Sequence, residues 1–259
     1  MSARVKIRLR FAKHGRLRWI GHHDVLRCLE RLLRRARIPI AQTQGYNPHP
    51  RLSFALALAL GIEGRREVVD FDLDQDMDPD RLLESLGRHS PEGLDWLEAK
   101  VIPQSTPPPE AIEARYSLAI ALERRPAARL AITQFLAAET WPFTRNRPGR
   151  ERSFDLRARV IEGDLDESGT LRFALKVERD GSARPEEVVE ALGLTDLTQG
   201  GGRLVREDVV LKDRSPLSPA PLAVAPTDHG EPSFAAEPSH VASEAGLELV
   251  QSVFIGQST

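Results

Sequence analysis

The chain of 259 residues is 41% hydrophobic and 29% charged, a composition typical of a globular protein with a buried core. The single cysteine, Cys28, excludes an internal disulfide and an iron–sulfur cluster held by several cysteines. The N-terminal residues lack the apolar segment of a signal peptide, and no stretch reaches the roughly 18 apolar residues of a membrane span. We therefore expect a cytoplasmic protein that does not contact a membrane.

Charge is distributed unevenly along the chain. The first 60 residues contain 13 Lys and Arg but only two acidic residues, whereas the other 199 contain 23 basic and 36 acidic residues. An asymmetry of this kind favours a polyanionic partner for the basic part, or contact between the two parts of the chain.

Residues 1–103 predict the element order β-α-β-β-α-β. Residues 4–12 alternate apolar and basic side chains, which is typical of a strand. Residues 23–36 place apolar side chains on one helical face and arginines on the other, with Asp24 as the predicted N-cap and Pro39 as the stop. The remaining predicted elements are strands at 52–60 and 67–73, a helix beginning at "DPDRLLESL" and a strand around 95–102.

After the proline-rich segment "PQSTPPPE" the same order is predicted again. Its elements are a strand at 115–122, a helix at 127–138, strands at 153–161 and 170–178, a helix at 184–192 and a strand at 203–211. The pattern predicts an α+β fold of two tandem ferredoxin-like (βαββαβ) domains, at 1–103 and 113–213. From Ser215 onwards the chain has six prolines and no Lys or Arg, so we expect 214–259 to be a disordered tail.

The first predicted strand carries one candidate RNA-binding surface. Arg8 and Arg10 lie on the side opposite its apolar residues, where an open sheet face would present them to a phosphate backbone. The alternative is that Asp70 and Asp72, on the neighbouring strand, pair with these arginines. The face lacks the aromatic platform of single-strand binders, so contact with the backbone is favoured over base stacking.

The first predicted helix carries a second candidate surface. Arg27, Arg31 and Arg34 lie on its polar face, opposite the apolar residues that would pack on the sheet. Such a face either binds nucleic acid or is an ordinary solvated surface whose arginine stems cover apolar area. Basic segments before and after the helix favour the first interpretation.

The segment "GYNPHPR", residues 45–51, is a stiff turn around a histidine. Pro48 and Pro50 fix the backbone on both sides of His49, which lowers the entropy lost when its ring is held in place. The turn is either a rigid connection in which His49 binds the backbone, or part of an anion site near the helix start, or part of a metal site with His22 and Asp24 for which no recognised spacing is present. The candidate anion-binding residues are Lys13, Arg18, His22, Asp24, Asn47, His49 and Arg51.

Residues 10–73 also carry a run of short motifs. They contain F-x-K-x-G-x-x-R, then I-G-H-x-D, the arginine-rich helix, G-Y-N-P-H-P, S-F-A and a late glutamate, Glu67. This run resembles the signature of the radical-SAM-linked protein family, a bacterial domain of unknown function, and the resemblance extends over about 1–212. Gly21 departs from it, since the family usually has serine there. Because the chain has no CxxxCxxC, the resemblance implies an accessory protein that works with a radical SAM protein and does no radical chemistry itself.

We therefore expect an accessory protein without a cofactor or metal, which binds RNA or ribosomal components and presents substrate to a radical SAM partner. One alternative is a metal-independent endoribonuclease in which His49 and His22 act as general acid and base; it rests on fold analogy with CRISPR repeat-cleaving enzymes. A second alternative is a protein-binding adaptor whose basic part meets an acidic partner. The pattern identifies no catalytic residue beyond these histidines.

Overall fold

The computed structural model describes residues 4–147, 149–178 and 181–213, which belong to one compact unit. The predicted tail at 214–259 lies outside these ranges. The strands are Val5–Lys13 (β1), Leu52–Phe54 (β2), Glu63–Leu73 (β3), Leu94–Ile102 (β4), Ala111–Ala119 (β5), Pro142–Arg147 (β6), Arg150–Asp155 (β7), Val160–Leu165 (β8), Thr170–Lys176 (β9) and Leu204–Leu211 (β10). The α-helices are His22–Arg35 (α1), Pro79–His89 (α2), Arg125–Ala137 (α3), Pro185–Ala191 (α4) and Thr195–Gln199 (α5).

One large mixed sheet organises these elements into an α+β fold. Seven strands follow the order β4-β1-β3-β10-β5-β9-β8, β2 pairs with the C-terminal half of β3, and β6 and β7 form a separate hairpin. The pairing of β3 with β10 is parallel, and the others are antiparallel. The strand orders β4-β1-β3-β2 and β10-β5-β9-β8 are therefore equivalent in the two halves of the chain. None of the helices in the described ranges combines the length and the apolarity needed to cross a membrane.

The strand predicted at 52–60 ends much earlier, at Phe54. The alternation of large and small apolar residues continues to Leu60, but the main chain leaves the sheet because it has another partner. The carbonyl oxygens of Leu56 and Ala57 accept hydrogen bonds from the guanidinium of Arg206, at 3.2 and 2.9 Å. That side chain comes from β10, about 150 residues further along the chain, so no local pattern could indicate it.

In the second half, one predicted strand needs correction and two elements were not predicted. The strand predicted at 153–161 is divided into β7 and β8 by a 3-10 turn at Arg157–Arg159. The strand β6 was not predicted, because Phe143 is its one large apolar residue and no alternation is visible. The short helix α5 was missed as well.

The helix α1 confirms the predicted amphipathic segment but not its predicted ends. It begins at His22 with Gly21 as N-cap, so Asp24 lies within the first turn and its main-chain N–H donates to the carbonyl of Gly21. It ends four residues before Pro39. Arg37 adopts a left-handed conformation with φ of 53°, and the N–H of Ile38 donates to the carbonyl of Leu33 at 3.0 Å, which is the Schellman pattern.

The prediction of an open basic face on β1 is wrong. Arg8 is fully buried and binds both carboxylate oxygens of Asp70, at 2.8 and 2.9 Å, and Asp213 at 2.7 Å. Arg10 is also buried and binds Asp208 of β10 at 2.6 Å. Residues of β10 pack on this side of the sheet, where Val209 joins a small apolar cluster. The alternative of cross-strand pairing is confirmed for Arg8 and Asp70, whose Cα atoms are partners in the β1–β3 register.

Replacing Asp70 by alanine should strongly destabilise the protein. Burial raises the pKa of Asp70 even though Arg8 opposes the shift, so the pair itself is expensive to desolvate. Removing one partner leaves a buried guanidinium with less compensation, and we expect the free energy of unfolding to fall by about 3–5 kcal/mol. Urea denaturation measures this loss.

The control is Asp74→Ala, which removes the exposed pair between Arg4 and Asp74. An exposed pair contributes about 1 kcal/mol at most, so this variant should unfold close to the wild-type midpoint. Equal midpoints for the two variants would contradict a structural role for the buried pair.

Candidate functional site

Lys13 and His22, two of the predicted anion-binding residues, lie together around a small internal cavity. The Lys13 side chain is 1% exposed, and its ammonium donates a hydrogen bond to the carbonyl of Ile20 at 3.1 Å. His22 is half-buried at the start of α1, with its ring edge-on to Phe54 at a centroid distance of 4.9 Å. Both side chains line the cavity together with Glu67. The cavity has room for about one water molecule, so it is too small for a substrate.

Glu67 connects this cavity to β10 through a buried ion pair. Arg206 is 2% exposed, binds one oxygen of Glu67 through Nε at 2.8 Å and binds the other oxygen through a terminal nitrogen. With its bonds to two carbonyls of the segment after β2, this guanidinium has four hydrogen-bond acceptors. Gly64 is required beside it, because a Cβ there would lie 2.5 Å from a Glu67 oxygen. In the sequence, Glu67 stands out only as a motif residue, and Arg206 resembles any polar residue of an alternating strand.

The charges of this cluster influence one another. Burial lowers the pKa of Lys13, and nearby Glu67 opposes this shift. Burial also lowers the pKa of His22, as do the charges of His23 and Arg206, so the imidazole is held in its neutral form at neutral pH. Burial works against the charge on Arg206, but Glu67 outweighs it and the pKa of Arg206 is raised. The cluster is therefore a buried ionic cross-link between the two halves, in which Arg206 binds Glu67 and the charge of Glu67 also acts on the nearby Lys13.

The other predicted anion-binding residues lie elsewhere. The His49 side chain is exposed; its main-chain N–H donates to the Thr43 hydroxyl at 2.9 Å, and its carbonyl accepts from the Thr43 N–H at 2.7 Å. Arg51 is exposed, and its guanidinium lies 3.9 Å from a carboxylate oxygen of Asp72. Asn47 is exposed in the same loop. The main-chain bonds support a rigid turn. A joint anion site of this loop with Lys13 and His22 stays a prediction.

Asp24 and Arg18 are also separate from the cavity. Asp24 is exposed on the first turn of α1, 3.8 Å from Arg27, and Arg18 lies 3.6 Å from Glu63. Across the described ranges, no three His, Cys, Asp or Glu side chains are grouped so that they can hold a metal ion, and this includes His22, Asp24 and His49.

The predicted arginine face of α1 is exposed, unlike that of β1. Arg27, Arg31 and Arg34 are all exposed, on the side of the helix opposite its buried residues. The long contact between Arg27 and Asp24 is the one ion pair that these arginines make within the described part of the chain. Positive charge on this face is therefore available to a partner.

A cleft of about 730 Å³, lined mainly by residues of the second half, was not predicted from the sequence. It lies beside β6, the start of α4 and the segment that follows β2. Arg145 crosses it and binds Glu187 and the carbonyl of Ser182. Its lining has nearly equal numbers of basic and acidic side chains, so it does not favour a polyanion. The lining charges are Arg145, Lys176, Arg184 and Arg206 against Glu186, Glu187 and Glu190.

The protein is thus an α+β protein with one large mixed sheet, an ionic cross-link between its halves and an exposed arginine-rich face on α1. Residues 6–185 match the family described as "Uncharacterized protein conserved in bacteria (DUF2344)". The chain belongs to this family. No curated protein matches the chain. The family description names no activity or partner, so the link to a radical SAM protein stays a prediction.

The lowered pKa of His22 should make the stability of the protein depend on pH. Below about pH 6.5 the unfolded chain binds a proton on this histidine, whereas the folded protein resists protonation there. The neutral His22 therefore contributes to the free energy of unfolding above that pH, and this contribution is lost as the pH falls below it. His22→Gln removes the contribution. The variant should lose less unfolding free energy than the wild type between about pH 7.5 and pH 5.5. Identical losses in urea denaturation would show that His22 titrates freely.

Proposed function

We propose that this protein is an accessory RNA-binding protein, which holds RNA or a ribonucleoprotein for a radical SAM partner and does not itself catalyse. The observation that carries the proposal is the unpaired positive charge on α1. Arg31 and Arg34 are exposed with no ion pair in the described part of the chain, and Arg27 makes one long pair. Phosphate backbones bind arrays of exposed Arg and Lys of this kind.

The fate of the other arginines supports this choice over simple pairing between the two parts of the chain. Arg8 and Arg10 pair with acids of the second half, Asp213 and Asp208. Contact between the parts therefore accounts for the charge on β1, which is buried. It does not account for the charge on α1, and an external polyanion does.

The finer architecture belongs to the same proposal. The equivalent orders β4-β1-β3-β2 and β10-β5-β9-β8 support two tandem ferredoxin-like domains, at 1–103 and 113–213, joined where β10 pairs with the N-terminal end of β3. The role beside a radical SAM protein rests on the motif resemblance, since the chain has no cysteine motif for a cluster of its own. A cytoplasmic location follows from that role.

The double variant Arg27→Glu, Arg31→Glu tests the proposal. It reverses charge on the exposed face of α1, where neither side chain is buried, so the melting temperature should not change. The affinity for RNA at about 50 mM salt should fall at least about tenfold, and the slope of log K against log salt should shrink by about 2. Filter binding over a salt series measures both.

Arg81→Glu with Arg129→Glu is the matched control. These arginines are also exposed on helices, α2 and α3, with no ion pair among the described residues, and the double variant makes the same change in net charge. We expect this control variant to bind RNA within about twofold of the wild-type affinity. Charge reversal on α2 and α3 can act on RNA bound at α1 only over long distances, where salt screens it. An equal loss in both double variants would show that net charge, and not α1, determines binding.

A further inference from the structure

A second cationic surface surrounds a buried carboxylate at the start of β3. Glu63 is 2% exposed and accepts a hydrogen bond from the N–H of Gly15 at 3.2 Å. Three arginines from different segments converge on it: Arg18 at 3.6 Å, Arg65 at 3.7 Å and Arg203 at 3.8 Å. Arg203, immediately before β10, is largely exposed.

One carboxylate cannot neutralise three guanidinium groups. Glu63 is the single acid within ion-pair distance of them in the described residues, so the group has a net charge of about +2. The distances are also long for charge-assisted hydrogen bonds, which are typically about 2.7–2.9 Å. The arginines thus keep N–H donors for another acceptor, in contrast to Arg8, whose donors are taken by carboxylates at 2.7–2.9 Å.

An exposed tryptophan lies in this surface. Trp19 is 61% exposed, and the guanidinium of Arg18 lies over its ring, 4.8 Å from the centroid. Gly61 lies against the ring: a Cβ at this glycine would be 3.3 Å from Trp19 Cζ3, and the N–H of Gly61 donates to the carbonyl of Arg18 at 2.8 Å. The indole is held in place by these contacts while most of its surface remains open to solvent.

We propose that Trp19, Arg18, Arg65 and Arg203 bind an unpaired nucleotide of single-stranded RNA. The base stacks on the open surface of the indole, and the flanking phosphates contact the arginines. Base stacking on an aromatic side chain inside a cationic groove is the general mode of single-strand binding, and it requires a base that is not held in a duplex. The inference rests on the proposed RNA-binding function and adds the form of RNA that this second surface recognises.

Trp19→Ala and Trp19→Phe test the inference, with Tyr46→Ala as the matched control because Tyr46 is fully exposed on the 42–50 loop. The probes are a single-stranded RNA of about ten nucleotides, a duplex of the same length and inorganic polyphosphate. Trp19→Ala should weaken single-strand binding about tenfold or more, and Trp19→Phe should retain most of the affinity. Tyr46→Ala should bind like wild type, and no variant should change affinity for the duplex or for polyphosphate.

Tryptophan fluorescence provides a second readout. Trp96 and Trp141 pack against Phe11 and Phe135, so quenching by single-stranded RNA should come from Trp19 and be absent from Trp19→Ala. Wild-type single-strand affinity for Trp19→Ala overturns the inference and leaves the α1 proposal standing. An equal loss for polyphosphate also overturns it, since Trp19 would then only position the arginines. Failure of wild-type protein to bind any RNA contradicts the α1 proposal as well.

Discussion

The buried ion pair between Glu67 and Arg206 determines how the two halves of the chain meet. The parallel pairing of β3 with β10 joins only Glu63 to Val205 and Gly64 to Arg206 in register, which is a short connection for so large a sheet. The guanidinium of Arg206 extends the connection by binding both oxygens of Glu67 and two carbonyls beyond β2. Removing either partner would leave a buried charge uncompensated.

This junction also decides which of the basic side chains reach solvent. Where β10 joins the sheet beside β3, Asp208 of β10 pairs with Arg10, and Asp213, just after β10, joins Asp70 in pairing with Arg8. Arg27, Arg31 and Arg34 of α1 are exposed instead, and within the described residues their one ion pair is the long contact of Arg27 with Asp24. The arginines of β1 and α1, which look alike in the sequence, are thereby divided into two groups. Those on β1 are buried and structural, and those on α1 are exposed and can bind a partner.

Sequence patterns predicted the elements whose partners are close in the chain. The spacing of apolar residues identified α1, and alternation identified β1, because both patterns arise from packing on a neighbouring layer. The length of β2 and the ion pair of Glu67 involve Arg206 of β10, and Arg8 binds Asp213 just after β10, so these partners follow about 140–205 positions later. Arg27, Arg31 and Arg34 of α1 lie on the surface as the helical pattern predicted, whereas Lys13, a candidate anion-binding residue, is buried. Local alternation along β1 does not reveal which distant residues cover a side chain.

Ultraviolet crosslinking of the wild-type protein to a short single-stranded RNA, with the crosslinked peptides identified by mass spectrometry, tests most directly where the uncompensated charge binds. If α1 and the surface around Trp19 bind RNA, crosslinks should fall in residues 15–37 and near Arg65 and Arg203. Crosslinks confined to the cleft beside β6 and α4, or to the 42–51 loop, would contradict this division of charge.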